Sequence, residues 1–313
     1  MKSLKLLVPM LAAVFMAAPA LAATTGNSQG QVLVTILPKS GATFKPVNPQ
    51  PGEMQLKING KAAQITSVTH ARGPASPIEL VLLIDGSARD SIGTQLSDIT
   101  DFINELPSDT KMAIAYMENG RAAFTGPFSS DPKVIRASLR IPEGPAGVSG
   151  SPYFCLSDLA QHWPSHDTSA RREVVMITDG IDNYEPRFNP DDPYVASAIK
   201  DSARAGLTVY SIYWKSEGPL ANSEWISSGG QSLLLQVADA TGGASYWQGF
   251  GNPVSFSPYF AEIRVRLGHQ YKIGFATVRE GKPEVKTIQL KLKRSDAKLS
   301  APQLVLVTPE NGE

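Results

Sequence analysis

Two aspartates and a serine in this 313-residue sequence follow apolar runs that have the character of buried strands. Asp85 comes directly after the run LVLLI and Ser87 lies two residues further on. Asp179 is separated from the run VVMI by one residue. Because the carboxyl ends of parallel strands form one edge of a sheet, these side chains are expected to lie together there. Carboxylate and hydroxyl oxygens are hard ligands that suit Mg²⁺ or Ca²⁺, so the pattern is that of a cation site.

A third segment, GVSGS at 147–151, lies between these strand ends and precedes a predicted helix. Its last residue, Ser151, adds a hydroxyl to the expected cluster. The segment also nearly matches the hydrolase motif Gly-x-Ser-x-Gly around Ser149, but it ends in Ser and does not follow a strong strand. No complete catalytic constellation accompanies it, so we predict that the protein is not an enzyme.

The elements that must position these residues lie between residues 78 and 267. Short apolar runs alternate there with amphipathic segments, and runs that are apolar on both faces are typical of strands covered by helices on both sides. In the intervening segments apolar residues recur at steps of three and four, as at Ile92, Leu96, Ile99 and Ile103, which predicts helices. This alternation predicts a doubly wound α/β domain with a mostly parallel sheet.

The two flanks of this domain, residues 23–77 and 268–313, carry strand patterns without helices. The turn Asn59-Gly60 between two alternating runs predicts a hairpin in the first flank. Each flank is small for an independent core, but together they have the size of one immunoglobulin-like sandwich. We therefore predict that the α/β domain is inserted into a small β-sandwich formed by both flanks; the alternative is two separate β appendages.

Residues 1–22 have the pattern of a secretory signal peptide, with Lys2 and Lys5, an apolar run and a small-x-small site that ends at Ala22. The apolar run is shorter than the roughly 20 residues that a membrane-spanning helix needs. We expect an exported protein, either periplasmic or secreted. The single cysteine, Cys155, excludes an intrachain disulfide, so the stability of the fold must come from its core.

The sequence has 29 basic and 29 acidic residues, and this balance argues against a nucleic-acid partner that needs a strongly basic chain. The charge is unevenly distributed. Residues 78–267 hold 14 basic and 23 acidic residues, a net charge of −9, whereas the two flanks hold 13 basic and 6 acidic residues, a net charge of +7. The basic flanks are expected to contact an anionic lipid or glycan surface, or to dock on the acidic domain.

Residues 78–267 resemble a von Willebrand factor A domain. That family carries a metal-ion-dependent adhesion site with Asp-x-Ser-x-Ser after the first strand, Thr before a central helix and Asp after the fourth strand. Asp85, Ser87 and Asp179 match this pattern, and Ser151 stands where the Thr is expected. Nearly the whole chain also resembles the bacterial exported proteins described as von Willebrand factor A-related, in the segments INGK (58–61), LLQVADATGGASY (234–246) and AEIRVRLGHQYKIGF (261–275).

Arg89 stands where the family pattern has its second Ser. A guanidinium is permanently charged and cannot bind a cation, so a metal site here is expected to be degenerate. Two interpretations remain open. Arg89 replaces the metal by pairing with Asp85 and Asp179, or it points outward and leaves Mg²⁺ or Ca²⁺ to the other four groups. The inverted local charge favours the first interpretation.

The resemblance implies protein–protein recognition through the face where these residues cluster, so we predict a binding or scaffolding protein of the bacterial envelope. Arg89 is a candidate for receiving an acidic group of the partner. Trp225, in a predicted loop rich in Gly, Ser and Asn, is a candidate anchor, or it packs locally over the neighbouring helix. A structural module that acts on the envelope surface through the basic flanks is the alternative, followed by a hydrolase that depends on Ser149.

Overall fold

The structure is a computed structural model, and it describes residues 27–39, 47–88, 90–145, 147–278 and 281–309. The predicted signal peptide and Arg89 lie outside these residues. No helix in the described part of the chain is long and apolar enough to cross a membrane.

Residues 78–267 alternate strands with helices, and further strands lie on either side of this segment. The strands are β1 (Asn27–Pro38), β2 (Met54–Ile58), β3 (Lys61–His70), β4 (Ile78–Asp85), β5 (Thr110–Glu118), β6 (Arg121–Phe124), β7 (Arg171–Thr178), β8 (Leu207–Tyr213), β9 (Ala244–Tyr246), β10 (Gln270–Val278), β11 (Glu284–Leu292), β12 (Ala297–Ser300) and β13 (Leu304–Pro309). The helices are α1 (Leu96–Asn104), α2 (Pro132–Ala137), α3 (Pro152–Gln161), α4 (Pro193–Ala205), α5 (Glu224–Thr241) and α6 (Ser257–Leu267). Short 3₁₀ helices span Pro51–Glu53, Asp90–Gln95 and Pro219–Asn222.

Strands β4 to β9 form one sheet in the order β6-β5-β4-β7-β8-β9. Neighbouring strands are parallel except at one edge, where β6 pairs with β5 in the antiparallel sense. Helices α1, α2 and α6 contribute to the apolar core on one face, and α3, α4 and α5 contribute to the core on the other. The predicted doubly wound, mostly parallel α/β domain is confirmed.

The central strand β4 shows why this sequence needs helices on both faces of the sheet. All of its residues are buried. Leu80 and Leu82 pack in the core on one face, and Val81 and Leu83 pack in the core on the other. Because successive side chains of a strand point to opposite faces, this continuous apolar run is stable only when both faces are covered. The carboxyl end of β4, at Asp85, is then the part of the strand that meets the surrounding loops.

The two flanks form a single antiparallel sheet that closes on itself. Its strands follow the order β10-β3-β2-β11-β13-β1, and β1 returns to pair with β10 along residues 27–35. β12 pairs with the other end of β1. The predicted β-sandwich is therefore wrong. A sandwich has two sheets with separate edges, whereas the pairing of β1 with both β13 and β10 joins these strands in one closed sheet, which we call the β-ring.

The interior of the β-ring is filled by alternate side chains of its strands. Val32, Val34 and Ile36 of β1 are buried there, together with Phe275 of β10. A Cβ at Gly30 would lie 2.3 Å from the aromatic ring of Phe275. The absence of a side chain at this position therefore lets β1 pass close to Phe275, which fills the interior in its place.

Arg171, the first residue of β7, joins the α/β domain to the β-ring. Its buried guanidinium donates hydrogen bonds of 2.7 to 3.0 Å to the carbonyl oxygens of Ser76 and Leu267 and to Oε1 of Gln270. A further nitrogen lies 3.5 Å from a carboxylate oxygen of Asp109. Ser76 precedes β4 and Leu267 ends α6, so one guanidinium binds both places where the chain crosses between the two units.

Glu173, two residues further along β7, is a buried acid in the same junction. Its Oε1 accepts a hydrogen bond of 2.8 Å from Nε2 of Gln270, and its Oε2 has no hydrogen-bond partner among the described residues. Burial raises the pKa of Glu173 to about 8, although Gln270 and Arg171 act in the opposite direction. The folded protein thus holds this proton more tightly than the unfolded chain. The resulting stability is present at low pH and is lost as the pH rises through about 8.

We expect Glu173→Gln to flatten the dependence of the unfolding free energy on pH. Between about pH 5 and about pH 9 the native protein should lose about 2–4 kcal/mol more than the variant, because only the native side chain becomes a buried charge. Urea unfolding at a series of pH values measures this difference. Glu224→Gln, an exposed change in the first turn of α5, is the control and should follow the native curve. Parallel curves for the native protein and Glu173→Gln would contradict the assignment.

Candidate functional site

Asp85 is the last residue of β4 and is buried at the carboxyl end of the α/β sheet. Its Oδ1 accepts hydrogen bonds from the backbone N–H and the hydroxyl of Ser87, at 2.9 and 2.6 Å. Its Oδ2 accepts a hydrogen bond of 2.7 Å from the hydroxyl of Thr178, the last residue of β7. Both oxygens of Asp85 are therefore held in place by the ends of two neighbouring strands. The contribution of Thr178 is absent from the sequence-based prediction, although the residue directly precedes Asp179.

Asp179 directly follows β7 and is also buried. Its Oδ1 accepts a hydrogen bond of 2.9 Å from the N–H of Ile181, and the polar groups of Ser216, in the loop after β8, act to lower its pKa. Burial, followed by the negative charge of Asp85, raises the pKa of Asp179 to about 7. The structure thus brings Asp85, Ser87 and Asp179 together and places two like charges in a buried position.

The hydroxyl of Ser151 is directed to a different carboxylate. Ser151 is the N-cap residue of α3, and its buried hydroxyl donates to Oδ2 of Asp182 at 2.8 Å. Oδ1 of Asp182 accepts hydrogen bonds from the N–H groups of Tyr184 and Glu185, which shapes the loop after β7. Burial raises the pKa of Asp182. Asp182 is absent from the sequence-based prediction, although it lies only three positions after Asp179.

Arg89, the predicted partner of the two aspartates, lies outside the described residues. Within the described residues no Lys, Arg or His forms an ion pair with Asp85 or Asp179. The same part of the chain holds no group of three or more His, Cys, Asp or Glu side chains that could bind a metal ion. Two buried carboxylates with adjacent hydroxyls nevertheless fit a hard cation in their chemistry, because a nearby positive charge would offset the cost of their burial.

Two glycines let helix α5 approach this site closely. A Cβ at Gly230 would lie 2.3 Å from the carbonyl oxygen of Asp179, so the helix packs directly on the backbone that carries the aspartate. A Cβ at Gly229 would lie 2.9 Å from Cβ of Phe188, so the helix also packs closely on the loop after β7 at this position. Gly230 is therefore a positioning residue for Asp179.

The prediction that Trp225 lies in a loop is wrong. Helix α5 begins at Glu224, and the hydroxyl of Ser223 caps it by accepting a hydrogen bond from the N–H of Ile226. Trp225 lies in the first turn of this helix, and it is 60% exposed. Its indole is therefore available for contact with a partner, as required of an anchor residue.

The surroundings of Ser149 differ from those of a hydrolase nucleophile. Its hydroxyl is buried and has no hydrogen-bond partner among the described residues, histidines included. Its carbonyl oxygen accepts a hydrogen bond from the thiol of Cys155, whose pKa is raised by burial. His162, at the end of α3, is exposed and contacts Asp158 instead. A nucleophile needs an adjacent base, and this segment of the structure supplies none to Ser149.

The topology of the α/β domain agrees with the resemblance of residues 78–267 to a von Willebrand factor A domain. Numbered within the domain, its strands follow the order 3-2-1-4-5-6, and the third strand lies antiparallel at the edge. Asp85 ends the first of these strands and Asp179 follows the fourth, which is where the family pattern has its two aspartates.

Comparisons of the sequence with known protein families and with curated proteins give no match. Among solved structures, an aerotolerance-related membrane protein from Bacteroides fragilis is similar over 61% of this chain and 98% of its own, at 14% identity and a TM-score of 0.41. BatB from Bacteroides thetaiotaomicron is similar over 61% of this chain and 97% of its own, also at 14% and 0.41. Proximal thread matrix protein 1 from the mussel byssus, with zinc in its MIDAS motif, is similar over 66% and 49%, at 15% and 0.43. Similarities of this size say nothing about function.

We expect Gly230→Ala to destabilise the protein by about 1–3 kcal/mol, because the added methyl group forces α5 away from the carbonyl of Asp179. Ser228→Ala, an exposed change in the same helix, is the control. Both changes improve the helix propensity, but the methyl group at position 228 faces solvent, so this variant should be near neutral. Urea unfolding of the two variants measures the difference. Equal stability of both would show that the contact with Asp179 does not constrain α5.

Proposed function

We propose that this protein is an exported binding protein that recognises a protein partner through the carboxyl-end face of its α/β sheet. One observation carries the proposal: this face combines the buried carboxylates of Asp85 and Asp179 with exposed aromatic side chains. Export follows from the signal-peptide pattern of residues 1–22, and it would place the partner in the cell envelope or outside the cell.

The exposed aromatic residues of this face come from the loops and the helix that follow the parallel strands. They are Tyr184 after β7, Trp225 after β8, and Trp247 and Phe250 after β9. Nε2 of Gln231 donates to the carbonyl oxygen of Gly249, which joins α5 to the loop after β9 in one surface. Exposed aromatic side chains are common at interaction sites, and Trp and Tyr are enriched among the residues that dominate binding energy.

The charge of the buried pair is the second element of the proposed site. Asp85, Ser87 and Asp179 are the residues that would hold a divalent cation, and a bound cation would offer an open position to a carboxylate of the partner. Arg89 competes for the same carboxylates, because a guanidinium can pair with them bidentately and cannot itself bind a metal. We therefore propose a degenerate site in which Arg89 supplies the positive charge.

Arg89→Ser should turn the site into one that binds Mg²⁺. Calorimetric titration with magnesium chloride should detect no binding to the native protein and clear binding to the variant, since the change removes the competing cation and adds a hydroxyl. Arg187→Ser, in the loop after β7, is the control and should behave like the native protein. Magnesium binding by the native protein would refute the degenerate site.

Photocrosslinking tests the binding function itself. A benzophenone amino acid placed at Trp225 or at Tyr184 should capture the same protein from an extract of the source cells, because both side chains would lie in one interface. The same probe at Lys291, an exposed residue of β11 in the β-ring, is the control. Capture from Lys291 alone would favour the alternative function, a structural module that acts through the basic flanks, and would contradict the proposal.

Once the partner has been captured, its dissociation constant from each variant gives a second test of the proposed interface. Trp225→Ala should weaken binding roughly tenfold or more, because a central tryptophan in an interface contributes about 2 kcal/mol or more. Val134→Ala, an exposed apolar position on α2, should leave the affinity unchanged. Equal affinities for Trp225→Ala and the native protein would exclude Trp225 as an anchor.

A further inference from the structure

A cavity of about 370 Å³ lies between the β-ring and the end of the α/β domain opposite the site described above. Its walls on the ring side come from β1, β10 and β13, and its walls on the other side come from the start of β7 and the ends of α4 and α5. Small-molecule sites commonly have volumes of about 300–1,000 Å³ and commonly lie at domain interfaces.

The hydrogen-bonded pairing of neighbouring strands in the β-ring is interrupted at this cavity. Among the described residues, β1 pairs with β13 at Ser28 and Gln29 alone, and it pairs with β12 from Thr35 onward. Between these pairings, the stretch 30–34 of β1 has no paired residue in the described part of β13, and residues of both strands line the cavity. The cavity is therefore built into the strand pairing rather than left between two rigid surfaces that merely touch.

The charge of the cavity has one sign. Its described lining includes Arg171, Arg172, Arg204 and Lys272, and it includes no Asp or Glu. Arg171 is occupied by the junction contacts, and Arg204 pairs with Asp201 at the exposed rim. Two half-buried cations remain, and their environment decides what the cavity can bind.

Arg172 and Lys272 are held by carbonyl oxygens and not by carboxylates. Arg172 donates to the carbonyl oxygens of Ala205 and Ser165, and Nζ of Lys272 donates to that of Ser169. Burial and the charge of Arg171 lower the pKa of Lys272, against a smaller opposing effect of Asp167. Within the described residues neither cation forms a salt bridge, so an anion in the cavity would meet positive charge that is not neutralised.

The remaining lining is largely apolar. Leu33, Leu304 and Leu306 are half-buried on the outer face of the β-ring, and Leu207 and Ala240 face them from the α/β domain. Leu33 lies opposite Lys272 in the pairing of β1 with β10, so apolar surface and positive charge are adjacent. A ligand that satisfies both needs an anionic head and an apolar body.

We propose that this cavity binds a small amphipathic organic anion, with its carboxylate or phosphate head at Arg172 and Lys272 and its apolar body against Leu33, Leu304 and Leu306. The site is separate from the partner-binding face, so its occupancy does not depend on the function proposed above. Lys272 is the charge that the basic flanks contribute to this site, and the arginines of the lining come from the α/β domain.

Calorimetric titration of the full chain with four six-carbon probes and with acetate tests the proposal. Hexanoate or hexyl phosphate should bind, and the bound head group identifies which anion the site prefers. Hexanol and hexylamine have the same body without negative charge, and acetate has the charge without the body, so these three should bind at least roughly tenfold more weakly. Absence of binding by both anions, or equal binding of hexanoate and hexylamine, would overturn the proposal.

Two variants place the binding in this cavity. Lys272→Gln removes one cation and Leu306→Trp fills the apolar part, and each should weaken binding of the preferred anion roughly tenfold or more. Lys291→Gln, on β11 outside the cavity, is the charge-matched control and should bind like the native protein. Circular dichroism establishes that each variant is folded. Unchanged affinity in both folded cavity variants would refute the site.

Discussion

The buried guanidinium of Arg171 is the interaction on which the arrangement of the molecule depends. It binds Ser76, where the chain enters the α/β domain, and Leu267, where the chain leaves it. Only an arginine offers enough donors in a rigid plane to serve both crossings and Gln270 at once. Strand β7 begins at this residue and ends at Thr178, beside Asp85. The junction at one end of the sheet and the candidate site at the other are therefore two ends of one strand.

Much of the α/β domain could be predicted because its signals are local. Strands without a polar face, such as β4, must be central, and parallel strands must bring their carboxyl ends together. Those two rules are sufficient to place Asp85 and Asp179 at the same edge. The closed β-ring could not be predicted in the same way. Alternating side chains identify a strand and its buried face, but they do not identify the neighbouring strand, and the strands that pair with β1 come from the other end of the chain.

The details of the site depend on tertiary contacts that the sequence indicates only weakly. The segment EWISSGGQS has low helix propensity, yet it forms the start of α5, because packing against the loop after β7 outweighs that propensity and requires small residues. The hydroxyl of Ser151 has two aspartates within its region of the fold, and only the path of the loop after β7 directs it to Asp182. The charge asymmetry between flanks and domain was visible from composition, but the cluster of Lys272 with arginines of the acidic domain was not, because only the fold brings these residues together.

The pairing of β1 with β10 also sets the order in which the chain can acquire its structure. Residues 27–35 emerge first, and their partners at 270–278 emerge only after the whole α/β domain. A contact of such long sequence separation forms late, so the first strand must wait unpaired while the domain behind it folds. Until those partners are available, the apolar side chains of β1 cannot be buried in the β-ring and stay exposed. Closure of the ring would mark the point at which that exposure ends.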